Sequence, residues 1–222
     1  MLRSETAARP ERMQRALEGL RRYQSWPRSP APEPMPAVAE EGGAALRDYG
    51  GTGAPVVFVP SLINPPSVLD LAPDRSLLRW LAPQGHHILL LDWGWPSETR
   101  RALSVTGYVE RILLPLVGRL GEPPVLVGYC LGGTMALAAA RPAGARAVAT
   151  IAAPWRFSGF GAEARARLAA LWAAARPPSE SLGVLPMEAL QSAFWSLDPA
   201  RTVAKFEAFA AAEGAKAEEF VR

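Results

Sequence analysis

Four short apolar runs constrain this chain more than any other feature. They lie at residues 56–59 (VVFV), 88–91 (ILLL), 125–127 (VLV) and 147–151 (AVATI). A strand with one wetted face alternates apolar and polar residues, so runs this apolar predict strands covered on both faces. The segments between them have helical spacing. Residues 75–82 predict one helix. Residues 105–120 predict a second, with Val109, Ile112, Leu113, Leu116 and Leu120 on its inner side, and 131–140 a third, built of small residues. Repeated strand–helix–strand units imply a mostly parallel sheet with helices on both faces, an α/β class. Ahead of these, 45–49 reads as an early strand before a Gly50-Gly51-Thr52-Gly53 turn.

The pattern changes after Pro154. Residues 162–176 place Leu168, Leu171, Trp172 and Ala175 on one helical face. Residues 186–197 do so with Met187, Leu190, Phe194 and Leu197, and 199–222 with Val203, Phe206, Phe209 and Phe220. Consecutive helices without intervening strands read as a helical cap or insertion. At the other end, 10–23 predicts a helix with Met13, Leu17 and Leu20 on one face and Arg12, Arg15, Arg21 and Arg22 elsewhere. Its basic face reads as solvated, or alternatively as a contact for a granule or lipid surface. Five prolines within 26–36 block helix and central strand alike and predict an extended linker. The expected division is 1–43 as N-terminal helix and linker, 44–154 as the α/β core, and 155–222 as the cap.

Composition removes several function classes. The net charge is +3 over 222 residues and no dense basic stripe is present, so nucleic acid is not an expected partner. One cysteine excludes an internal disulfide. No run approaches the ~20 apolar residues of a membrane span, and 1–13 has no apolar core of a secretory signal, so a cytoplasmic location is expected. No metal-ligand cluster and no phosphate-cradling glycine fingerprint stands out, so neither a metal nor a nucleotide cofactor is expected.

That cysteine sits in Gly128-Tyr129-Cys130-Leu131-Gly132, a G-x-C-x-G motif between a buried strand and a helix. A nucleophile on such a turn is held in a strained backbone conformation and projects above the sheet. Its flanking positions must be glycine, because a side chain there would strike a neighbouring strand or helix. Gly128 and Gly132 meet that need and Gly133 extends it. The helix beginning at Leu131 directs its positive end at the site, which favours a thiolate and a developing oxyanion. An oxyanion hole needs two backbone donors. Leu131 is the expected first. The loop Pro60-Ser61-Leu62-Ile63-Asn64 is the expected source of the second, with Ile63 preferred over Leu62. Exchange of a thiol with a thioester loses little free energy. A cysteine nucleophile therefore suits acyl transfer from acyl-CoA better than hydrolysis, without excluding hydrolysis.

Several stretches together resemble the polyhydroxyalkanoate synthases. They are Val59-Pro60-Ser61-Leu62-Ile63-Asn64, Val68-Leu69-Asp70-Leu71, Ser76-Leu77-Leu78-Arg79-Trp80-Leu81, Gln84-Gly85-His86, Asp92-Trp93-Gly94-Trp95-Pro96 and Gly128-Tyr129-Cys130-Leu131-Gly132-Gly133. The resemblance covers about 44–154. It implies an α/β-hydrolase fold and polymerisation of (R)-3-hydroxyacyl-CoA into polyester, with release of CoA. It also implies a Cys-Asp-His triad with Cys130 as nucleophile, a location at the polyester granule surface, and a homodimer or synthase partner subunit.

The sequence departs from that pattern in its later part. The family's acid and histidine follow the nucleophile, yet no histidine occurs after Cys130 and the single aspartate there, Asp198, reads as a helix N-cap before Pro199. His86 and His87 precede the strand ending at Asp92, so they are expected at its N-terminal end, away from the chemistry. Asp92 is at the other end and reads as a turn former. The expectation is a sheet incomplete at its C-terminus, in a fragment, a truncated frame or a homologue without catalysis. Two alternatives remain: a hydrolase of the dienelactone hydrolase type, and a non-catalytic homologue that binds granules or a synthase partner. The aromatic residues Trp155, Phe157, Phe160, Trp172, Phe194 and Trp195 read first as core packing and second as the lining of an acyl channel.

Overall fold

The computed structural model describes residues 5–27, 33–195 and 197–221. They form two compact units. One is Pro32–Gly159, and the other joins Met1–Ala31 to Phe160–Arg222. This division differs from the boundaries at 43 and 154: the N-terminal helix belongs with the late helices. Residues 28–32 of the proline-rich stretch lie outside the described residues.

The first unit holds a six-stranded sheet. Its strands are β1 (Ala37–Glu41), β2 (Ala44–Asp48), β3 (Pro55–Val59), β6 (His87–Asp92), β7 (Val125–Tyr129) and β8 (Ala147–Ile151), and a small antiparallel pair, β4 (Asp70–Ala72) and β5 (Arg75–Ser76), lies apart. The order is β1-β2-β6-β3-β7-β8. β6, β3, β7 and β8 run parallel, whereas β1 and β2 form an antiparallel hairpin on one edge. β1 falls inside the stretch read as linker. Its AVAEE sequence has too little apolar pattern to announce a strand, and edge pairing with β2 through the Gly42-Gly43 turn makes it one.

β3 and β6 carry the covered runs. Val57, Phe58, Val59, Ile88, Leu89, Leu90 and Leu91 are all buried. On one face they meet Ile112, Leu113, Leu116, Met135 and Ala136, and on the other Leu69, Leu78 and Ala82. β8 corrects the sequence expectation. It is an edge strand with four of its five residues exposed, not a buried one.

Several helices are more broken than their spacing implied. The stretch read as a helix over 75–82 begins as β5, and α1 is only Leu77–Leu81, capped by the Ser76 hydroxyl accepting the Arg79 N–H at 3.1 Å. Residues 105–118 form a helix from Val105 to Tyr108, a π turn over Val109–Leu113, and a helix over Leu114–Gly118. The π turn lies just ahead of Pro115, which has no N–H to give and crowds the preceding turn. α2 (Leu131–Ala140) follows β7 directly.

In the second unit, α3 (Pro10–Ser25) packs on α6 (Pro199–Ala210). The buried face of α3 is Ala16 and Gly19, not the Met13-Leu17-Leu20 stripe. A Cβ on Gly19 would stand 1.8 Å from the Phe206 carbonyl oxygen, so the two helices meet backbone to backbone. The basic face of α3 is partly engaged. Arg12 donates from Nε and Nη2 to Glu207 at 2.9 and 2.7 Å, Arg15 pairs with Glu207 at 3.5 Å, and Arg22 donates to the Ala210 carbonyl at 2.8 Å. Tyr23, Phe206, Phe209 and Phe220 form an aromatic cluster.

The helix read over 162–176 continues as α4 (Ala162–Leu182), through Pro177 and Pro178. Past the prolines the Ser179 hydroxyl donates to the Ala175 carbonyl and Arg176 pairs with Glu180. α5 (Met187–Trp195) follows. The last stretch splits into α6 and α7 (Gly214–Val221), and Gly214, which opens α7, has φ +51°. No described helix is long and apolar enough to cross a membrane.

Candidate active site

β7 lies between β3 and β8, and Cys130 stands at its carboxyl end, immediately before α2. Its φ of +53° and ψ of −125° are the strained conformation that the G-x-C-x-G pattern predicts. Each flanking glycine is required by contact. A Cβ on Gly128 would be 2.3 Å from Gly133 Cα, one on Gly132 would be 2.0 Å from the Val59 oxygen, and one on Gly133 would be 2.4 Å from Ala153 Cβ. The sharp turn therefore lets α2 lie almost on the backbone of β3 and against the Ala153 side chain of the segment leaving β8.

That segment braces the elbow. The Cys130 N–H donates to the Ile151 carbonyl at 2.9 Å, and the Thr134 hydroxyl donates to the Pro154 carbonyl at 2.6 Å. Ala152, between them, is the other non-glycine residue with positive φ among the described residues. Neither the brace nor its strain was visible in the sequence, because an Ala-Ala-Pro turn carries no glycine to mark it.

Cys130 is half-buried and its thiol is free. Leu131 is the first residue of α2, so its N–H has no partner four residues back within the helix. On the β3 side, the Ile63 N–H, the preferred second donor, donates to the Ser61 hydroxyl at 3.1 Å, and Ser61 is buried. In this arrangement Ile63 is engaged. Among the described residues no hydrogen bond occupies the Leu62 N–H, so Leu62, the second choice, is open as a donor.

The remaining candidates lie elsewhere. His87 begins β6 and meets Asp48 Oδ1 at 3.1 Å, at the end of the sheet opposite Cys130. Asp92 ends β6 on the Cys130 side, where Oδ2 accepts from Arg47 at 3.1 and 3.2 Å and Oδ1 accepts the Gly94 N–H at 3.0 Å. Asp198 caps α6, accepting the Arg201 N–H at 3.0 Å. Among the described residues no acidic or histidine side chain hydrogen-bonds Cys130. Trp155, Phe157, Phe160, Trp172 and Phe194 are exposed rather than packed in a core, which corrects their first reading. Trp195 is partly buried, edge-on to Phe206.

A polar cluster that the sequence did not single out joins Asp70, Arg79 and Tyr49. Asp70, buried, accepts from Arg79 Nε and Nη2 at 2.9 and 3.0 Å and from the Tyr49 hydroxyl at 2.8 Å. Burial alone would push the Asp70 carboxyl up. Hydrogen bonds from Arg79, Ser76 and Tyr49 outweigh it and hold the group below the usual aspartate range. Burial and the bond to Asp70 push the Tyr49 phenol well above its ordinary value. The signal in the sequence was the Asp-x8-Arg pair, readable only once β4 and β5 fold it together.

A sheet in the order β1-β2-β6-β3-β7-β8, with a cysteine on a positive-φ turn between β7 and the next helix, points to one family. The model described as the alpha/beta hydrolase family matches residues 56–219. The chain belongs to the alpha/beta hydrolase family. This alpha/beta hydrolase is similar to poly(3-hydroxyalkanoate) polymerase subunit PhaC of Haloferax mediterranei, at 34% identity over 152 residues, 65% of this chain and 31% of that protein. It is similar to PhaC of Haloarcula marismortui at 36% over 104 residues, 45% of this chain and 22% of that protein. The match to PhaC of Allochromatium vinosum is 34% over 110 residues, 46% and 31% respectively. The matched stretches span less than a third of these relatives' length. Among solved structures, BpoC from Mycobacterium tuberculosis H37Rv superposes with a TM-score of 0.51 at 20% identity, over 78% of this chain and 63% of that one. That likeness concerns the fold.

Proposed function

We propose that this alpha/beta hydrolase is an acyltransferase of the polyhydroxyalkanoate synthase kind. Cys130 Sγ attacks the thioester carbonyl of an (R)-3-hydroxyacyl-CoA, the carbon–sulfur bond to CoA breaks, and CoA leaves as its thiol. The acyl group, held on Cys130 as a thioester, then passes to the hydroxyl of a growing polyester. The observation that carries this reading is a cysteine, rather than a serine, at the strained turn, in a chain similar to three PhaC proteins. The Leu131 N–H and the Leu62 N–H are the donors we assign to the oxyanion. The granule surface is the proposed location.

The reading is tested by incubating the chain with 3-hydroxybutyryl-CoA, following thiol release and recording intact mass, with Cys130→Ala as control. Release together with an acyl adduct that the control lacks supports it. A second reading, a non-catalytic homologue that binds a synthase or a granule, is favoured by the position of both histidines away from Cys130. A folded chain with neither release nor adduct supports that second reading.

A further inference from the structure

The ladder between β3 and β6 ends at Phe58 and Leu90, and beyond it the connection is made by a side chain. Trp93 is 5% exposed, and its indole Nε1–H donates to the Pro60 carbonyl at 3.0 Å, wholly inside the protein. The same Pro60 oxygen lies 2.5 Å from where a Cβ on Gly132 would stand. One carbonyl thus touches the β6 exit on one side and the nucleophile turn on the other. It also opens the loop that carries Ser61, Leu62 and Ile63.

The indole is itself backed. Tyr108 meets it edge-on, with ring centroids 5.6 Å apart. Arg100 lies over the Tyr108 ring at 5.3 Å. Arg100 is 4% exposed, reaches the Trp95 carbonyl at 3.4 Å, and keeps its Nε without a hydrogen-bond partner. Leaving a buried guanidinium donor unpaired is costly. The arrangement trades that cost for a rigid stack of Arg100, Tyr108 and Trp93 against Pro60.

We propose that Trp93 is a positioning residue: its indole N–H holds the Pro60 carbonyl on the Gly132 side and so sets the Leu62 donor relative to Cys130. A peptide plane carries its carbonyl and the next N–H on opposite sides. Anchoring the Pro60 carbonyl therefore fixes the direction in which the loop leaves β3. A released carbonyl would be free to turn an acceptor toward the place where an oxyanion needs donors. The catalytic part of this inference rests on the acyltransfer reading above; the positioning part does not.

The test is Trp93→Phe, which keeps an aromatic ring and removes the N–H. Amide hydrogen exchange over 61–64 and 128–133 is expected to accelerate about fivefold, the factor that corresponds to one buried hydrogen bond, with exchange in β3 and β6 unchanged. In the acylation assay the rate constant is expected to fall about 10- to 100-fold with the half-saturating acyl-CoA concentration unchanged. If Trp93→Phe fails to fold, the parent still decides: by NMR its Trp93 indole proton must be protected from exchange. Unchanged exchange in the variant, or an unprotected indole proton in the parent, overturns the inference. Accelerated loop exchange in a system whose parent forms no acyl adduct upholds the positioning role and overturns the acyltransfer reading instead. Acylation that is equally fast in parent and variant overturns the catalytic part.

Discussion

Replacing Gly19 by alanine sets two opposed effects against each other. In an isolated helix the change is favourable by about 1 kcal/mol, because alanine is the better helix former. In α3 the new Cβ would stand 1.8 Å from the Phe206 oxygen and 2.7 Å from its carbonyl carbon, and both are backbone. Real Cβ atoms essentially never come under 3.0 Å, so α3 and α6 must part by about 1.2 Å. A radial gap of 0.5–1 Å already forfeits roughly a quarter to a half of each dispersion contact. The Arg12–Glu207 fork and the Tyr23 contacts are stretched with it. Overpacking costs about 1–3 kcal/mol in general. With backbone on the far side the upper value applies, which leaves a net loss of about 2 kcal/mol after the propensity gain. The assay is urea unfolding followed by helical circular dichroism, with Gly118→Ala as comparison. A Cβ on Gly118, also helical, meets nothing within 4 Å, so that change is expected to be neutral or to stabilise by up to about 1 kcal/mol. Equal or greater stability of Gly19→Ala would refute the close helix approach and the steric reasoning built on it.

Cys130→Gly relieves the positive φ and is expected to raise stability by about 1 kcal/mol while abolishing any acyl adduct, as read by denaturation and intact mass. Gly132→Ala places a Cβ 2.0 Å from the Val59 oxygen, so it is expected to lower stability by about 3 kcal/mol and to remove acylation, since α2 can no longer lie on β3. Asp70→Asn leaves Arg79 and Tyr49 with a weaker acceptor; because Arg79 is about one-third exposed, the expected loss in chemical denaturation is about 2 kcal/mol. The Asp70 carboxyl is held below its unfolded value, so its contribution is full above the ordinary aspartate range and is lost as pH falls through the folded value. Unfolding free energy measured from pH 6 down to pH 3 should fall in the parent and fall less steeply in Asp70→Asn.

Legibility in the sequence followed the kind of signal each element sends. VVFV and ILLL announce β3 and β6 because both faces are covered. G-x-C-x-G announces the elbow because three glycines answer three contacts too close for a side chain. β8 carries the same apolar signal as β3 but ends on an edge, a difference set by its neighbours and invisible in its own residues. The Val105–Gly118 region keeps helical spacing across a π turn, because one extra residue in a turn barely disturbs the apolar stripe. The Trp93–Pro60 bond joins two exits 33 residues apart, and only the sheet order brings them together. In α3 the stripe of large residues drew attention from Ala16 and Gly19, the small ones on which the helix packs.

The pairing of α3 with α6 also orders the birth of the fold. Arg12 and Glu207 are 195 residues apart, so α3 is synthesised long before the helix it packs on and is among the last elements to find its place. Until residues near 210 are available its Ala16–Gly19 face has nothing to lie against, and contacts of such long span form late. The sheet unit, closed within Pro32–Gly159, has no such wait. The Cys130 turn is therefore expected to be assembled while the arginine-bearing α3 is still unpartnered.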